Sequence, residues 1–167
     1  PSSKRTSGSP AARRRRKPAL LFEVAWEVCS QVGGIYSVLR SKAPTIARRW
    51  GDNYCLIGPF NERSARIELE PQQPAGLIGE AIAKLEATGV QTRFGRWLVS
   101  GRPQVLLIDV RYLGMQLPEM KYLLWKDHGV ECPSGDFEFD DCVAFGGATA
   151  RFLRLVRELA ADRPMLA

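Results

Sequence analysis

Apolar side chains along the first third of the chain fall into blocks with two different spacings. Residues 20–26 are rich in branched and aromatic side chains and are too few for a buried helix, so they predict a strand. After a turn that contains Gly33 and Gly34, the apolar positions recur at the spacing of one helix face: Ile35, Val38, Leu39, Ala43, Ile46 and Trp50. Pro44 interrupts this pattern. We expect the helix to kink or restart there, because proline lacks the amide N–H and collides with the preceding turn.

A second strand, residues 53–57, is predicted after this helix and before Gly58 and Pro59. A strand, a glycine turn, a helix and another strand in this order form a βαβ unit. The strands of such a unit lie parallel, with the helix packed on the sheet. The predicted fold class is therefore α/β.

The rest of the chain predicts a helix, a pair of strands and a long final helix. Pro74 suits the first position of a helix whose apolar stripe ends before Gly89, a residue suited to a left-handed helix end. Residues 90–99 and 104–110 predict two strands joined by a short turn, as in an antiparallel hairpin. The acidic residues from Asp136 onward favour the start of the last helix. A metal site or an acid/base pair is the other interpretation of those acids. The apolar face of that helix is Phe145, Ala148, Phe152, Leu155, Val156 and Leu159.

The net charge of +6 comes from the start of the chain. Residues 1–18 hold seven basic side chains and no acidic one, which leaves 17 of the 24 basic residues against 18 acidic residues elsewhere. We predict that residues 1–18 are a disordered basic tail and that residues 19–167 form one domain. A nucleic-acid-binding arm and a targeting signal stay open for the tail, but the near-neutral domain argues against nucleic acid as a partner.

Other features narrow the class of protein. The chain has no run of about 18 apolar residues and no secretory signal, so we expect no membrane partner and a cytoplasmic location. The spacings of Cys29, Cys55, Cys132 and Cys142 match no zinc or redox pattern. We expect buried free thiols and no metal. His128 before Gly129 fits a helix end.

The segment between the first strand and its helix is the candidate ligand site. Ligands of open parallel sheets gather at the carboxyl ends of the strands. Glycines there let the backbone approach a phosphate, beside the free N–H groups of the helix start. Gly33 and Gly34 could therefore contact a diphosphate. Tight packing of the turn on the sheet explains the two glycines equally well.

Longer strings of residues around these glycines resemble a known enzyme family. They are residues 22–28 (Phe-Glu-Val-Ala-Trp-Glu-Val), 32–39 (Val-Gly-Gly-Ile-Tyr-Ser-Val-Leu), 41–43 (Ser-Lys-Ala), 50–54 (Trp-Gly-Asp-Asn-Tyr), 56–59 (Leu-Ile-Gly-Pro), 94–98 (Phe-Gly-Arg-Trp-Leu) and 136–138 (Asp-Phe-Glu). In this order they are similar to the opening of glycogen synthases of the animal and fungal type, glycosyltransferase family three. The resemblance runs from about residue 21 to residue 159.

The resemblance implies an incomplete, Rossmann-like N-terminal domain of a GT-B glycosyltransferase. Such an enzyme transfers glucose from UDP-glucose to the non-reducing end of an α-1,4-glucan such as glycogen, with retention and without a metal or other cofactor. This domain would receive the glucan and contribute the glycine turn. A homo-oligomer of the full-length protein stays open. The donor-binding residues that the resemblance implies are Gln31, Val32, Gly33 and Gly34. It assigns no catalytic residue to this chain.

The chain departs from the family pattern in two ways. Family members carry Lys or Arg just before the Val-Gly-Gly sequence, where this chain has the neutral Gln31. The family also continues with a His-Phe-His-Glu-Trp motif and a second domain, whereas this chain begins at Pro1 and ends at Ala167. We therefore expect a truncated domain that is inactive alone. The alternative is a catalytically dead remnant that binds glucan or nucleotide.

Four other side chains are candidates for contact with a substrate. Arg96 could line the cleft, although a strand arginine that pairs with a neighbouring acid is the commoner arrangement. Trp97, Tyr122 and Trp125 could stack on sugar rings. We expect each of these three to pack in the core, because aromatic side chains are mostly buried.

Overall fold

The structure, a computed structural model, describes residues 19–114 and 116–162. The predicted basic tail, residues 1–18, lies outside the described residues, and so do residues 115 and 163–167. No helix in the described ranges is long and apolar enough to cross a membrane.

Strands and helices alternate as far as β4, after which two strands and then two helices follow one another. In chain order they are β1 (Leu21–Val24), α1 (Gly34–Trp50), β2 (Tyr54–Pro59), α2 (Glu62–Glu68), β3 (Leu69–Pro71), α3 (Gly76–Glu86), β4 (Gln91–Trp97), β5 (Gln104–Asp109), α4 (Leu117–His128) and α5 (Phe137–Asp162). The sequence patterns did not predict α2 and β3, and of α4 they predicted only the end at His128, which is confirmed, with Gly129 as the left-handed cap.

The strands form one sheet in the order β1-β2-β5-β4-β3. Strands β1, β2 and β5 are parallel, and their last residues, Val24, Pro59 and Asp109, lie at the same edge of the sheet. Strand β4 is antiparallel to β5, and β3 is antiparallel to β4. The sheet confirms the α/β class, the parallel βαβ unit and the antiparallel hairpin.

Apolar side chains cover both faces of this sheet. Because successive residues of a strand point to opposite faces, neighbouring residues divide between two hydrophobic clusters. Ile57 and Leu106 pack with α3 and α5 on one face. Leu56 and Leu107 pack with α1 and α2 on the other. The glycine turn follows the edge strand β1 and leads into α1.

The buried face of α1 differs from the predicted stripe. Tyr36, Leu39 and Ala43 are buried, whereas Ile35 and Val38 are 53% and 58% exposed. The other predicted positions, Leu39, Ala43, Ile46 and Trp50, do pack toward the core, so the prediction is wrong only for Ile35 and Val38, and the position of the sheet under the helix buries Tyr36 in their place. The helix passes through Pro44 without restarting. A neighbouring turn packs on it there, since a Cβ on Gly101 would lie 2.6 Å from the Pro44 Cα.

Three predicted helix ends can be compared with the structure. Helix α3 begins at Gly76, and Ala75 is its N-cap. The prediction of Pro74 as its first residue is therefore wrong. Gly89 has a positive φ of 90° and ends the following turn, as expected. At the start of α5 the Asp136 Oδ1 accepts a hydrogen bond of 3.0 Å from the Phe139 N–H, which confirms a capping role for Asp136, whereas Asp140 pairs with Lys121 at 2.7 Å.

Cysteine and aromatic predictions are confirmed only in part. All four cysteines are free thiols, but only Cys29 and Cys55 are buried. Trp97 is fully buried, as expected, whereas Tyr122 and Trp125 are 54% and 60% exposed. Core packing was therefore the wrong prediction for Tyr122 and Trp125. Helix α4, which carries both, is a surface helix without a buried residue.

Candidate functional site

The glycine turn is seated on the end of β2 by a close backbone contact. The Ala25 N–H continues the sheet by donating a 3.0 Å hydrogen bond to the Ile57 carbonyl. Gly58 then lets the turn pack directly on the strand, since a Cβ there would lie 2.6 Å from the Val28 Cβ and 3.2 Å from two carbonyl oxygens of the turn. The turn therefore lies at the carboxyl edge of the parallel strands.

The structure places all four predicted donor-binding residues together on the surface. Gln31, Val32, Gly33 and Gly34 are exposed, and α1 begins at Gly34. A Cβ on Gly34 would meet nothing within 4 Å, so this position faces open space. Gly33 is exposed as well, although the Glu27 carboxylate lies against it on one side. The arrangement of strand, glycine turn and helix start is the one that the sequence predicted.

Glu27 is the partner of the turn's amide groups, and the sequence analysis did not single it out. Its Oε2 accepts hydrogen bonds from the N–H groups of Gly33 (2.8 Å), Tyr36 (3.0 Å) and Val32 (3.4 Å). The residue is only 7% exposed. Amide groups that could bind an external anion are thus already bound to a carboxylate of the same chain.

A second network lies beneath the turn and holds α1 in place. The hydroxyl of Tyr36 donates to Glu68 Oε2 at 3.0 Å, and the indole Nε1 of Trp97 donates to the same oxygen at 2.8 Å. The rings of Tyr36 and Trp97 meet edge to face, with centroids 5.5 Å apart. Trp97 therefore supports the turn through Tyr36.

A cationic cluster occupies the same edge of the sheet beside the turn. The guanidinium carbons of Arg93 and Arg111 lie 5.4 and 5.6 Å from the ring centroid of Phe60, the residue that follows β2. Arg111 also binds buried Asp109 through Nε at 2.9 Å and Nη2 at 2.7 Å. The available signal was the position of Asp109 and Arg111 directly after a buried strand, where polar residues point to function in an open sheet.

Charge holds this cluster together. Burial acts to raise the pKa of Asp109, but the hydrogen bonds and positive charge of Arg111 outweigh burial, and the pKa lies below its usual range. The same contact raises the pKa of Arg111. With Asp109 paired to Arg111, Arg93 adds a positive charge at the edge where ligands of such sheets bind.

Comparison with known proteins agrees with the motifs that the sequence carries. The sequence profile of the family described as glycogen synthase matches residues 23–167, which is most of the chain. This chain belongs to the glycogen synthase family.

Its curated relatives in that family are animal and fungal proteins. The chain is 41% identical over 164 residues to the liver glycogen [starch] synthase of Rattus norvegicus and 42% identical over 149 residues to that of Homo sapiens. It is 42% identical over 141 residues to the glycogen [starch] synthase of Neurospora crassa. These matches cover 96%, 89% and 84% of this chain but only 23%, 21% and 20% of the relatives. The chain therefore spans about a fifth of their length.

Arg96, the remaining candidate from the sequence, lies at the opposite edge of the sheet from the glycine turn. It pairs in register with Gln104, the first residue of β5, whereas the turn follows the last residue of β1. Its Nη2 is 2.5 Å from Asp52 Oδ1, and its Nε donates to Gln72 Oε1 at 3.3 Å. This is the pairing with a neighbouring acid that the sequence indicated as the commoner arrangement.

Within residues 19–114 and 116–162, no group of three or more His, Cys, Asp or Glu side chains could hold a metal ion. The acids at the start of α5 lie on a helix end, where Asp136 serves as a cap.

The contact between Glu27 and the turn predicts that the stability of this chain depends on pH. The hydrogen bond from Gly33 is the main reason that the pKa of Glu27 is lowered, although burial opposes it. An unfolded glutamate has a pKa of about 4.3. Glu27 therefore contributes stability that is present above about pH 4.3 and is lost as the pH falls through the lower, folded value.

Thermal unfolding followed by circular dichroism at a series of pH values tests this. We expect the unfolding temperature of the wild type to fall more steeply below about pH 5 than that of Glu27→Gln, which cannot titrate at this position. Parallel curves for the two proteins would contradict the prediction.

Proposed function

We propose that this chain is the N-terminal, acceptor-side domain of a glycogen synthase. The proposed reaction is transfer of glucose from UDP-glucose to the non-reducing end of an α-1,4-glucan, with retention and without a metal or other cofactor. Membership of the glycogen synthase family over residues 23–167 carries this proposal. A cytoplasmic location and a homo-oligomer of the full-length protein are further parts of it.

The exposed turn Gln31 to Gly34 is the proposed contact for the donor diphosphate. The reaction develops positive charge on the sugar and leaves negative charge on the departing diphosphate, so groups that stabilise this anion matter most. The turn offers a bare backbone at Gly34 and the positive end of the α1 dipole. Gln31 offers no positive charge. The cation that family members carry at this position must come from elsewhere in the site.

Replacing Gly34 tests the contact with the donor. Because the site of a new Cβ is open, Gly34→Ala leaves the packing of the fold unchanged but adds a methyl group on the outward surface of the turn. We expect this variant to bind UDP-glucose about tenfold more weakly than the wild type, a loss of about 1.4 kcal/mol. The measurement is a titration of the chain with UDP-glucose followed by the amide NMR signals of Gly33 and Gln31.

Gly146→Ala is the matched control for this experiment. It adds the same methyl group at a second position that faces open space, on α5 and away from the turn. It should bind UDP-glucose as the wild type does. Equal affinities for all three proteins would show that the donor does not lie on the glycine turn.

A second candidate function is a catalytically inactive protein that binds glucan or nucleotide, and the neutral Gln31 favours it. Transfer of radiolabelled glucose from UDP-glucose to glycogen by the longest natural form of the protein separates the two. Turnover supports the enzyme, whereas glucan binding without turnover supports the binding protein. We expect the isolated 167-residue chain to show no transfer.

A further inference from the structure

We propose that Glu27 determines how strongly the glycine turn binds anions. Its carboxylate holds the turn in shape and at the same time opposes an anionic ligand with its own charge. The inference rests on the proposed function for the class of ligand, which is the diphosphate of a sugar nucleotide.

The shape of the turn depends on one oxygen atom. All three hydrogen bonds from Val32, Gly33 and Tyr36 end on Oε2 of Glu27. The other oxygen, Oε1, lies against Gly33, where an added Cβ would be 3.2 Å away. The carboxylate thus fills the inner side of the turn and leaves Gly34 open on the outer side. An anion on the outer side shares the turn with Glu27, and one on the inner side must displace it.

No cationic side chain within residues 19–114 and 116–162 pairs with the carboxylate of Glu27. Among the described residues Glu27 forms no ion pair, and its charge is stabilised by backbone N–H groups alone. The adjacent exposed residue, Gln31, is neutral. An incoming phosphate therefore meets an uncompensated negative charge at short range, where the interaction between charges is strong. The turn combines the backbone of an anion site with a charge that weakens anion binding.

Glutamine at position 27 separates shape from charge. Its side-chain oxygen can accept the hydrogen bonds that Oε2 accepts, so the turn keeps its shape. Its amide nitrogen takes the place of Oε1 beside Gly33 and adds donors in place of a negative charge. Glu27→Ala removes both the hydrogen bonds and the charge, so a comparison of the two variants distinguishes the effects.

Titration with inorganic pyrophosphate tests the proposal. The wild type, Glu27→Gln and Glu27→Ala are titrated at pH 7, and affinity is taken from the amide NMR signals of Gly33 and Gly34. These signals report the turn separately from the basic residues at the start of the chain. We expect Glu27→Gln to bind pyrophosphate at the turn about tenfold more tightly than the wild type. Glu27→Ala should lose the hydrogen-bonded shift pattern of residues 32–36.

Two further variants complete the experiment. Glu119→Gln removes a negative charge at a distant position on α4 and should leave the pyrophosphate response of the turn unchanged. Gln31→Arg adds a positive charge at an exposed position that carries no packing, and it should raise the affinity as well. If Glu27→Gln does not fold, this variant still tests whether charge at the turn controls pyrophosphate binding there, which the proposal requires.

The proposal is overturned if Glu27→Gln folds but binds pyrophosphate as weakly as the wild type does, or does not bind it at all. For an unfolded Glu27→Gln, an unchanged affinity in Gln31→Arg does the same. The outcome with pyrophosphate can be separated from the outcome for the proposed function, which concerns UDP-glucose. If pyrophosphate binds more tightly to Glu27→Gln while UDP-glucose leaves the turn's signals unchanged, Glu27 has the proposed role and the donor assignment fails.

Discussion

Trp97→Ala is expected to lower the free energy of unfolding by about 3–5 kcal/mol, as is typical when a buried tryptophan is truncated in a core. Trp97 is fully buried and packs with Tyr36 and with the apolar cluster on the α1 face of the sheet. The substitution leaves a large cavity. It also removes the hydrogen bond that the indole N–H donates to Glu68, one of two side-chain hydrogen bonds that this carboxylate accepts among the described residues.

Trp125→Ala is the matched control, because the same truncation is made at a position that is 60% exposed. We expect a change within about 0.5 kcal/mol for this surface substitution. Urea denaturation followed by circular dichroism measures both variants. Similar losses for Trp97→Ala and Trp125→Ala would show that Trp97 does not hold the core together as the structure indicates.

The substitution Trp97→Ala should also destabilise the glycine turn. Tyr36 donates its backbone N–H to Glu27 and its hydroxyl to Glu68, so it joins the turn to the network beneath it. Trp97→Phe fills most of the cavity but removes the hydrogen bond to Glu68. It should therefore retain most of the stability that Trp97→Ala loses.

Gly95→Ala is expected to destabilise the fold by about 3 kcal/mol, at the upper end for a methyl group forced into a packed core. Gly95 pairs with Pro71 across β4 and β3. A Cβ at this position would overlap the carbonyl oxygen of Glu70 and lie 2.9 Å from its carbonyl carbon. Because these are backbone atoms, only a displacement of β3 can relieve the overlap.

Gly146→Ala again provides the comparison for Gly95→Ala. It adds a methyl group inside α5 at a position with nothing within 4 Å. We expect a gain of up to about 1 kcal/mol, because alanine favours a helix over glycine by that amount. Denaturation in urea measures both changes. Amide hydrogen exchange at Gln72, which donates to the Phe94 carbonyl at 3.0 Å, reports whether β3 has detached. An unchanged stability of Gly95→Ala would contradict the prediction.

The glycine pair and the Phe-Gly-Arg-Trp motif have different physical roles, although both carry the family resemblance. Gly34 faces open space, so its small size leaves room for something outside the fold. Gly95 faces the backbone of β3, so its small size serves the fold itself. From the motifs alone, Gly33, Gly34, Gly95 and Trp97 could equally well contact a substrate or support the fold. Only the contacts show that Gly95 and Trp97 are structural.

The sequence by itself determined the class of fold, the βαβ unit, the hairpin and the place of the glycine turn. These features follow from local signals. The spacing of apolar residues reports which face of an element is buried, and glycine and acidic residues mark turns and helix starts within a few positions. The family was also evident from motifs in the right order along the chain.

Tertiary structure alone decided which groups meet at the turn. Glu27 lies six residues before Gly33, and its hydrogen bonds form only because the chain folds back over the end of β2. The buried face of α1 and the exposure of Tyr122 and Trp125 likewise depend on where each helix lies on the sheet or on a neighbouring helix. Apolar spacing cannot supply these facts, because Ile35 and Tyr36 are both spaced to share a helix face with Leu39 until the sheet covers one side of the helix.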